Sequence, residues 1–396
     1  MNAYPVIRLK PKMDPRPLRR GFPWVYANQL VTDRRTKALE PGALALLEDS
    51  ERRPIGLATV NPQSKIIARL LDRNGEATLD AAWFDARVAQ ALALRETLYD
   101  APFYRLIHAE TDGFPGTIVD RFGDTLVIQP NAAWIDVRLD LFIEALRKAT
   151  GALVVVKNAQ GRARGLEGLN DISEVLVGTV TNPIPVPMNG ATYMANVEGG
   201  QKTGIFYDQR PNHAFVARLS QGRDVLDMFS HVGGFSLAAL SAGATAALAV
   251  DGSEAALALA AKGATASGVA DRFETRKSDA FDAMSSLAGD ARLFGSVICD
   301  PPAFAPNKNA LEPGLRAYEK AARLAAHLVQ PGGVLTLCSC SQAVALPAFQ
   351  TASLRGIGRA GRSAQLLRTG QAGPDHPRHP ALEESGYLKA LTFRLL

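Results

Sequence analysis

The chain has 396 residues, 47% apolar and 21% charged, so it exceeds one average domain and has ample material for a buried core. Its net charge of +5 is already present in residues 1–20, where Arg8, Lys10, Lys12, Arg16, Arg19 and Arg20 face Asp14 alone, a concentration that suits a phosphate-bearing partner. Only Cys299, Cys338 and Cys340 are present, too few for a disulfide framework, and no apolar run reaches the ~18 residues of a bilayer span, so a secreted disulfide scaffold and a membrane helix are excluded and a reducing cytoplasm is expected.

Residues 1–73 read as short strands broken by turns: Val6 to Leu9, Trp24 to Ala27, Gly42 to Leu47, Ile55 to Val60 and Ile66 to Leu71, with Pro41-Gly42, Arg53-Pro54 and Asn61-Pro62 between them. A small β-rich domain is expected. Between Arg19 and Leu30, basic residues interleave with Phe22, Trp24 and Tyr26, a mixture that pairs phosphate contacts with base stacking. The competing readings are a solvated basic arm and a Trp24 buried in a barrel core.

Residues 74–187 change texture. Ala81 to Tyr99 predicts a helix, Gly116 to Asp120 and Thr125 to Gln129 a hairpin around Gly123, and Ile135 to Ala149 a second helix. Leu153 to Lys157 and Val175 to Val180 return to strand, which makes a central α+β domain. The run Asn182-Pro183-Ile184-Pro185-Val186-Pro187 marks a boundary, because repeated proline enforces extended backbone.

Over residues 188–396 strands alternate with Ala-rich helices. Val225 to Asp227, Ala246 to Asp251, Phe273 to Lys277, Ser296 to Asp300 and Val334 to Ser339 are the strands, separated by helices at Phe235 to Ala242, Glu254 to Ser267, Ala280 to Leu287 and Leu315 to Leu328. The fold class is therefore α/β, a doubly wound sheet whose ligand site lies beyond the carboxyl ends of its strands. Asp227, Asp251, Asp279 and Asp300 each fall at or just after such an end. The first turn, Ser230-His231-Val232-Gly233-Gly234-Phe235, lacks the Gly-x-Gly-x-x-Gly spacing that admits a pyrophosphate. Acids leading into it favour a cofactor with an amine or sulfonium, Asp251 taking a ribose diol, Asp279 an adenine amino group and Asp300 the reacting centre.

Several segments together resemble the bacterial large-subunit ribosomal RNA cytosine-5 methyltransferases. They are Arg19-Arg20-x-Phe-Pro-Trp24-Val-Tyr26, the stretch from Asp112 to Asp124, the run from Lys202 to Arg210, Asp227 to Phe235, Asp300-Pro301-Pro302-Ala303-Phe304, Ser339-Cys340-Ser341 and Asp375-His376-Pro377. The resemblance spans nearly the whole chain. It implies an N-terminal PUA RNA-binding domain, a central mixed domain and a class I (Rossmann-like) methyltransferase domain that uses S-adenosyl-L-methionine. It further implies cofactor contacts from Asp208, Asp227, Phe229, Ser230, His231, Gly233, Asp251, Ser253, Asp279, Ala280 and Asp300, and RNA contacts from Arg19, Arg20 and Trp24. Ribosomal RNA is the expected partner, a homodimer is compatible with the family, and no metal is expected.

Cytosine C5 is a poor nucleophile, and thiolate attack at C6 makes it enamine-like. The resemblance gives that role to Cys340 and the base contact near N3 to Asp300. Cys299 reads as a buried hydrophobe, while Cys338, two residues from Cys340, is in a position to support it. The chain departs from related patterns in two respects: Ala303 follows Pro302 where some RNA cytosine-5 methyltransferases have a second cysteine, and the lysine that often follows Asp-Pro-Pro is absent, with Lys308 as a distant substitute. His231 stands where an aromatic is usual. Two other functions fit the same residues: methylation of an adenine or guanine amino group through Asp300-Pro301-Pro302, and a catalytically inactive RNA-binding assembly factor.

Overall fold

The computed structural model describes residues 4–198 and 204–396, so Lys202 and Thr203 of the run quoted above lie outside the described residues. The chain forms two compact units, and the sequence passes from the first to the second at Asn182 and Pro183; a short stretch from Val197 and the segment Pro377–Glu383 belong with the first. Among the described residues no helix is long and apolar enough to cross a membrane.

The first unit contains two five-stranded sheets. One is built from β1 (Val6–Arg8), β2 (Trp24–Val25), β3 (Ala43–Glu48), β4 (Pro54–Val60) and β5 (Ala68–Asp72), in the order β1-β3-β4-β5-β2, with one-turn helices α1 (Arg16–Arg19) and α2 (Arg34–Lys37) between strands. Alternate residues such as Ile7, Ala45, Leu47, Ala58 and Val60 point into its core, as a period of two requires. The second sheet holds β6 (Phe103–His108), β7 (Thr117–Phe122), β8 (Thr125–Pro130), β9 (Val154–Lys157) and β10 (Glu174–Val177), with α3 (Ala81–Leu98), α4 (Ala133–Asp136), α5 (Leu139–Thr150) and α6 (Arg162–Leu166). The single helix expected over Ile135 to Ala149 is in fact two. The chain breaks at Val137 and Arg138, where the Arg138 guanidinium turns to the carbonyl oxygens of Trp134 and Gly42.

The second unit opens with the hairpin β11 (Ile184–Met188) and β12 (Ala191–Ala195). The proline-rich run is thus a strand rather than only a boundary. Pro185 and Pro187 are exposed while Val186 and Met188 are buried, so the residues that cannot donate to a ladder sit on the outer face. A seven-stranded sheet follows, ordered β15-β14-β13-β16-β17-β19-β18. Its strands are β13 (Asp224–Met228), β14 (Ala246–Asp251), β15 (Phe273–Lys277), β16 (Phe294–Cys299), β17 (Val329–Ser339), β18 (Ala364–Gly370) and β19 (Lys389–Leu395). The helices are α7 (Arg210–Leu219), α8 (Gly234–Ser241), α9 (Glu254–Ala266), α10 (Ala280–Gly289), α11 (Leu311–His327) and α12 (Leu346–Arg359). The five expected strands are all present and parallel, and the last two, β18 and β19, were not anticipated; they add an antiparallel pair at the β17 edge.

Register brings the strand ends to one edge. Met228 pairs with Val250 and with Cys299, Cys299 pairs with Leu337, and Ser339 pairs with Lys389. Phe229, Asp251, Asp300 and Cys340 therefore leave the sheet on the same side.

Candidate active site

Asp227 is the penultimate residue of β13 and is 1% exposed. One of its carboxylate oxygens, Oδ2, accepts from the Ser236 backbone N–H at 3.0 Å and the Ser236 hydroxyl at 2.7 Å, which ties the strand to the first turn of α8. The other, Oδ1, is buried with no partner, as are Ser230 Oγ and Asp208 Oδ1. Asp208 Oδ2 is taken by the Tyr387 hydroxyl at 2.6 Å. Burial pushes the Asp227 carboxyl up to about 6, against the Ser236 bonds that favour its charged form. Three buried acceptors left open are an outcome a native interior avoids unless a ligand completes them.

The intervening turn is held in a rarely adopted backbone. Phe229, His231 and Gly233 have φ of 61°, 49° and 80°, and two of these are not glycine, a local strain characteristic of ligand clamps. The turn is fixed from the next strand, because the His231 N–H donates to Asp251 Oδ2 at 2.9 Å and the Ser253 N–H to Asp251 Oδ1 at 2.8 Å. Asp251 and Ser253 thus organise this corner, and Ser253 also caps α9. Asp279 is exposed and caps α10 through Oδ1, which accepts from Phe281 and Asp282, while Ala280 is buried behind it. Helix capping accounts for one oxygen of Asp279.

Asp300 follows β16 and receives the Gln209 side-chain amide on Oδ2 at 2.8 Å. Gln209 is 3% exposed, is held in turn by Asn212 at 2.7 Å, and its amide favours the charged form of the Cys338 thiol. Sequence reasoning quoted Gln209 within a motif and gave it no role. Burial, with the Asp300 charge adding to it, pushes the Cys338 thiol well up, so this sulfur stays protonated. Cys299 is also buried and packs its sulfur 4.0 Å from that of Met284. Cys340 is the one cysteine of the three with partial exposure.

Its flanks are pinned. Ser339 Oγ donates to the Tyr318 hydroxyl at 2.9 Å, Tyr318 and Ser341 hydroxyls share a bond of 2.8 Å, and the Ala305 N–H donates to Ser341 Oγ at 3.1 Å. Tyr318 packs on Phe304 with centroids 4.9 Å apart, Phe304 lies 6.3 Å from Phe229, and Phe281 stands beside both. One aromatic wall therefore runs from the turn after β13 to the turn that carries Cys340. Lys308 is exposed in a short 3-10 helix, and Ala303 places no polar group at its position.

In the first unit, Arg19 is committed: its guanidinium binds Asp49 and the Pro54 carbonyl, each at 3.0 Å. Trp24 is half-buried between Phe22 and Tyr26, and its indole N–H donates to Glu110 at 2.8 Å. Arg20 is exposed.

Residues 7–73 match the PUA-like domain family, and residues 144–394 match the family described as S-adenosylmethionine-dependent methyltransferase. The chain is 34% identical over 391 residues to a ribosomal RNA large subunit methyltransferase of Deinococcus radiodurans, covering 96% of this chain and 94% of that protein. It is 30% identical over 383 residues to ribosomal RNA large subunit methyltransferase I of Pseudoalteromonas atlantica, covering 96% of each. A solved putative methyltransferase complexed with SAH has the same fold, with a TM-score of 0.82 and 21% identity over 98% of this chain and 99% of that one.

Proposed function

The chain belongs to the S-adenosylmethionine-dependent methyltransferase family whose members include the ribosomal RNA large subunit methyltransferases, and on that premise we propose that it methylates C5 of a cytosine in large-subunit ribosomal RNA through a Cys340 adduct at C6. The observation that carries this reading is the continuous aromatic wall from Phe229 to Tyr318, which sets the partly exposed thiol and the open acceptors along one strand edge.

S-adenosyl-L-methionine, when bound, supplies a methyl carbon made electrophilic by its sulfonium. The unpartnered acceptors of Asp208, Asp227 and Ser230 fit a cation rich in N–H and O–H donors, with Phe229, His231, Gly233, Asp251, Ser253, Asp279 and Ala280 lining the same edge. Cys340 adds to C6 as the thiolate, which moves electron density to C5. Asp300, oriented by Gln209, acts at the N3 edge of the base as the carboxylic acid, donating its proton to N3 as negative charge develops there. The C5 proton then passes to water, its bonding pair re-forms the C5–C6 double bond and the C6–S bond breaks to release the Cys340 thiolate, and with Ala303 in place of a second cysteine no other thiol takes part. The base reaches this edge unstacked, as chemistry on a nucleobase requires.

Incubating the protein with labelled cofactor and unmethylated large-subunit RNA, then digesting to nucleosides, tests the reading. Label is expected in 5-methylcytidine, and C340A is expected to bind SAH normally while its transfer rate falls by about a thousandfold or more. Label on an adenine or guanine amino group, or normal turnover by C340A, overturns it.

A further inference from the structure

Lys389 opens β19 directly opposite Ser339, the residue before Cys340, and is 6% exposed. Its Nζ donates to the carbonyl oxygens of Ser341 and Val344, each at 2.8 Å. Both partners are neutral carbonyls on the chain just after Cys340. A buried ammonium whose hydrogen-bond partners include no carboxylate is costly, and a structure retains one when an anion forms beside it. Burial pulls the Lys389 ammonium down to about 8, and the neighbouring Cys340 sulfur acts in the opposite sense, so the two groups are electrostatically coupled. Two titratable groups feel the charge of the sulfur, Lys389 from β19 and the Tyr318 phenol from α11, whose own ionisation burial pushes up. The Asp300 carboxylate acts on Cys338 from the end of β16.

We propose that Lys389 is a positioning residue for methyl transfer: it locks the turn after Cys340 and serves as the counterion of the Cys340 thiolate. This rests on the reading of Cys340 as the nucleophile. The S–H bond breaks with its electron pair staying on sulfur and its proton passing to solvent, and Lys389 keeps its own proton throughout. The ammonium has three donors, two of which hold carbonyls and fix its place. The remaining N–H and the positive charge are what a thiolate gains, the same effect that lowers other cysteines beside a cation.

The test is alkylation of the full chain by iodoacetamide across pH, read by mass on the Cys340 peptide. In the unaltered protein the midpoint is expected below the ~8.5 of a free cysteine. K389M is expected to raise it by about one pH unit or more, lower kcat about tenfold near neutrality and leave SAH affinity unchanged, while K389R restores the midpoint. A purely structural lysine does not move a thiol midpoint that arginine then returns. An unaltered-protein midpoint at or above that of free cysteine overturns the inference even if K389M fails to fold, and so does an unshifted K389M midpoint. The alkylation midpoint, unlike kcat, needs neither RNA nor turnover. Normal methylation by C340A therefore overturns the cytosine reading, whereas an unshifted K389M midpoint with an inactive C340A overturns only the counterion.

Discussion

Asp227 is a residue whose stability and function pull in opposite directions. Its folded value of about 6 lies above the ordinary 3.8, so between those values the folded state binds more protons than the unfolded one. The stability this group supports is present at low pH and is lost as pH rises through about 6. Above that the buried charge costs about 3 kcal/mol. D227N is expected to unfold in denaturant with stability close to the unaltered protein at pH 4 and higher by about 2–3 kcal/mol at pH 7.5, while SAH binding weakens at least about tenfold. A stability gap that does not change with pH would show that the carboxylate is not strained by burial. The positions of Asp227, Asp251, Asp279, Asp300 and Cys340 at or just after strand ends could be read from the sequence, because an apolar or β-like run leads into each. Gln209, His213 and Lys389 were not, since their roles come from tertiary neighbours: the first two flank or occupy α7, and the last begins β19, neither element having been anticipated.

At the scale of elements, α7 and α8 meet without a spare atom. A Cβ at Gly234, the first residue of α8, would lie 2.7 Å from both Cε1 and Nε2 of His213 on α7. The imidazole is 4.4 Å from the Phe235 ring, and burial pulls its pKa down to about 3, so it packs as a neutral ring. G234A is expected to cost about 1–3 kcal/mol in denaturant unfolding by overpacking. H213A in the same chain should recover part of that, and strict additivity of the two changes would contradict the contact. The alternating strands and helices from β13 to β17 were readable because parallel strands need helical crossovers, which write a change of period into the chain. The pair β18 and β19 has no such crossover between strand and partner, and β18 is mostly exposed, so it carries neither cue. The break between α4 and α5 is equally silent, because an arginine side chain reaching the Gly42 carbonyl leaves no mark on local propensity.

For the molecule as a whole, charge and chemistry are assigned to different units: the basic N-terminal segment lies in the first and the candidate active site in the second. The basic residues are not equivalent. Arg19 anchors Asp49, whose carboxyl is held well down despite burial by bonds from Arg53 and Arg19, and Arg20 is exposed. Salt titration of RNA binding should therefore separate them. R20A is expected to reduce the slope of log affinity against log salt by about one without altering thermal unfolding. R19A is expected to lower stability by roughly 0.5–1 kcal/mol, Arg53 still pairing Asp49. An unchanged slope in R20A removes that residue from the RNA contact.

The most direct measurement of the central claim is a trap for the adduct itself. RNA carrying 5-fluorocytidine at the target position keeps the C5 substituent that must leave as a proton in the normal reaction, so the enzyme stalls after methyl transfer. With S-adenosyl-L-methionine present, a denaturation-resistant protein–RNA conjugate is expected, mapping by peptide mass to Cys340 and absent in C340A. No conjugate from a preparation that methylates unmodified RNA, or a conjugate at another residue, contradicts the account.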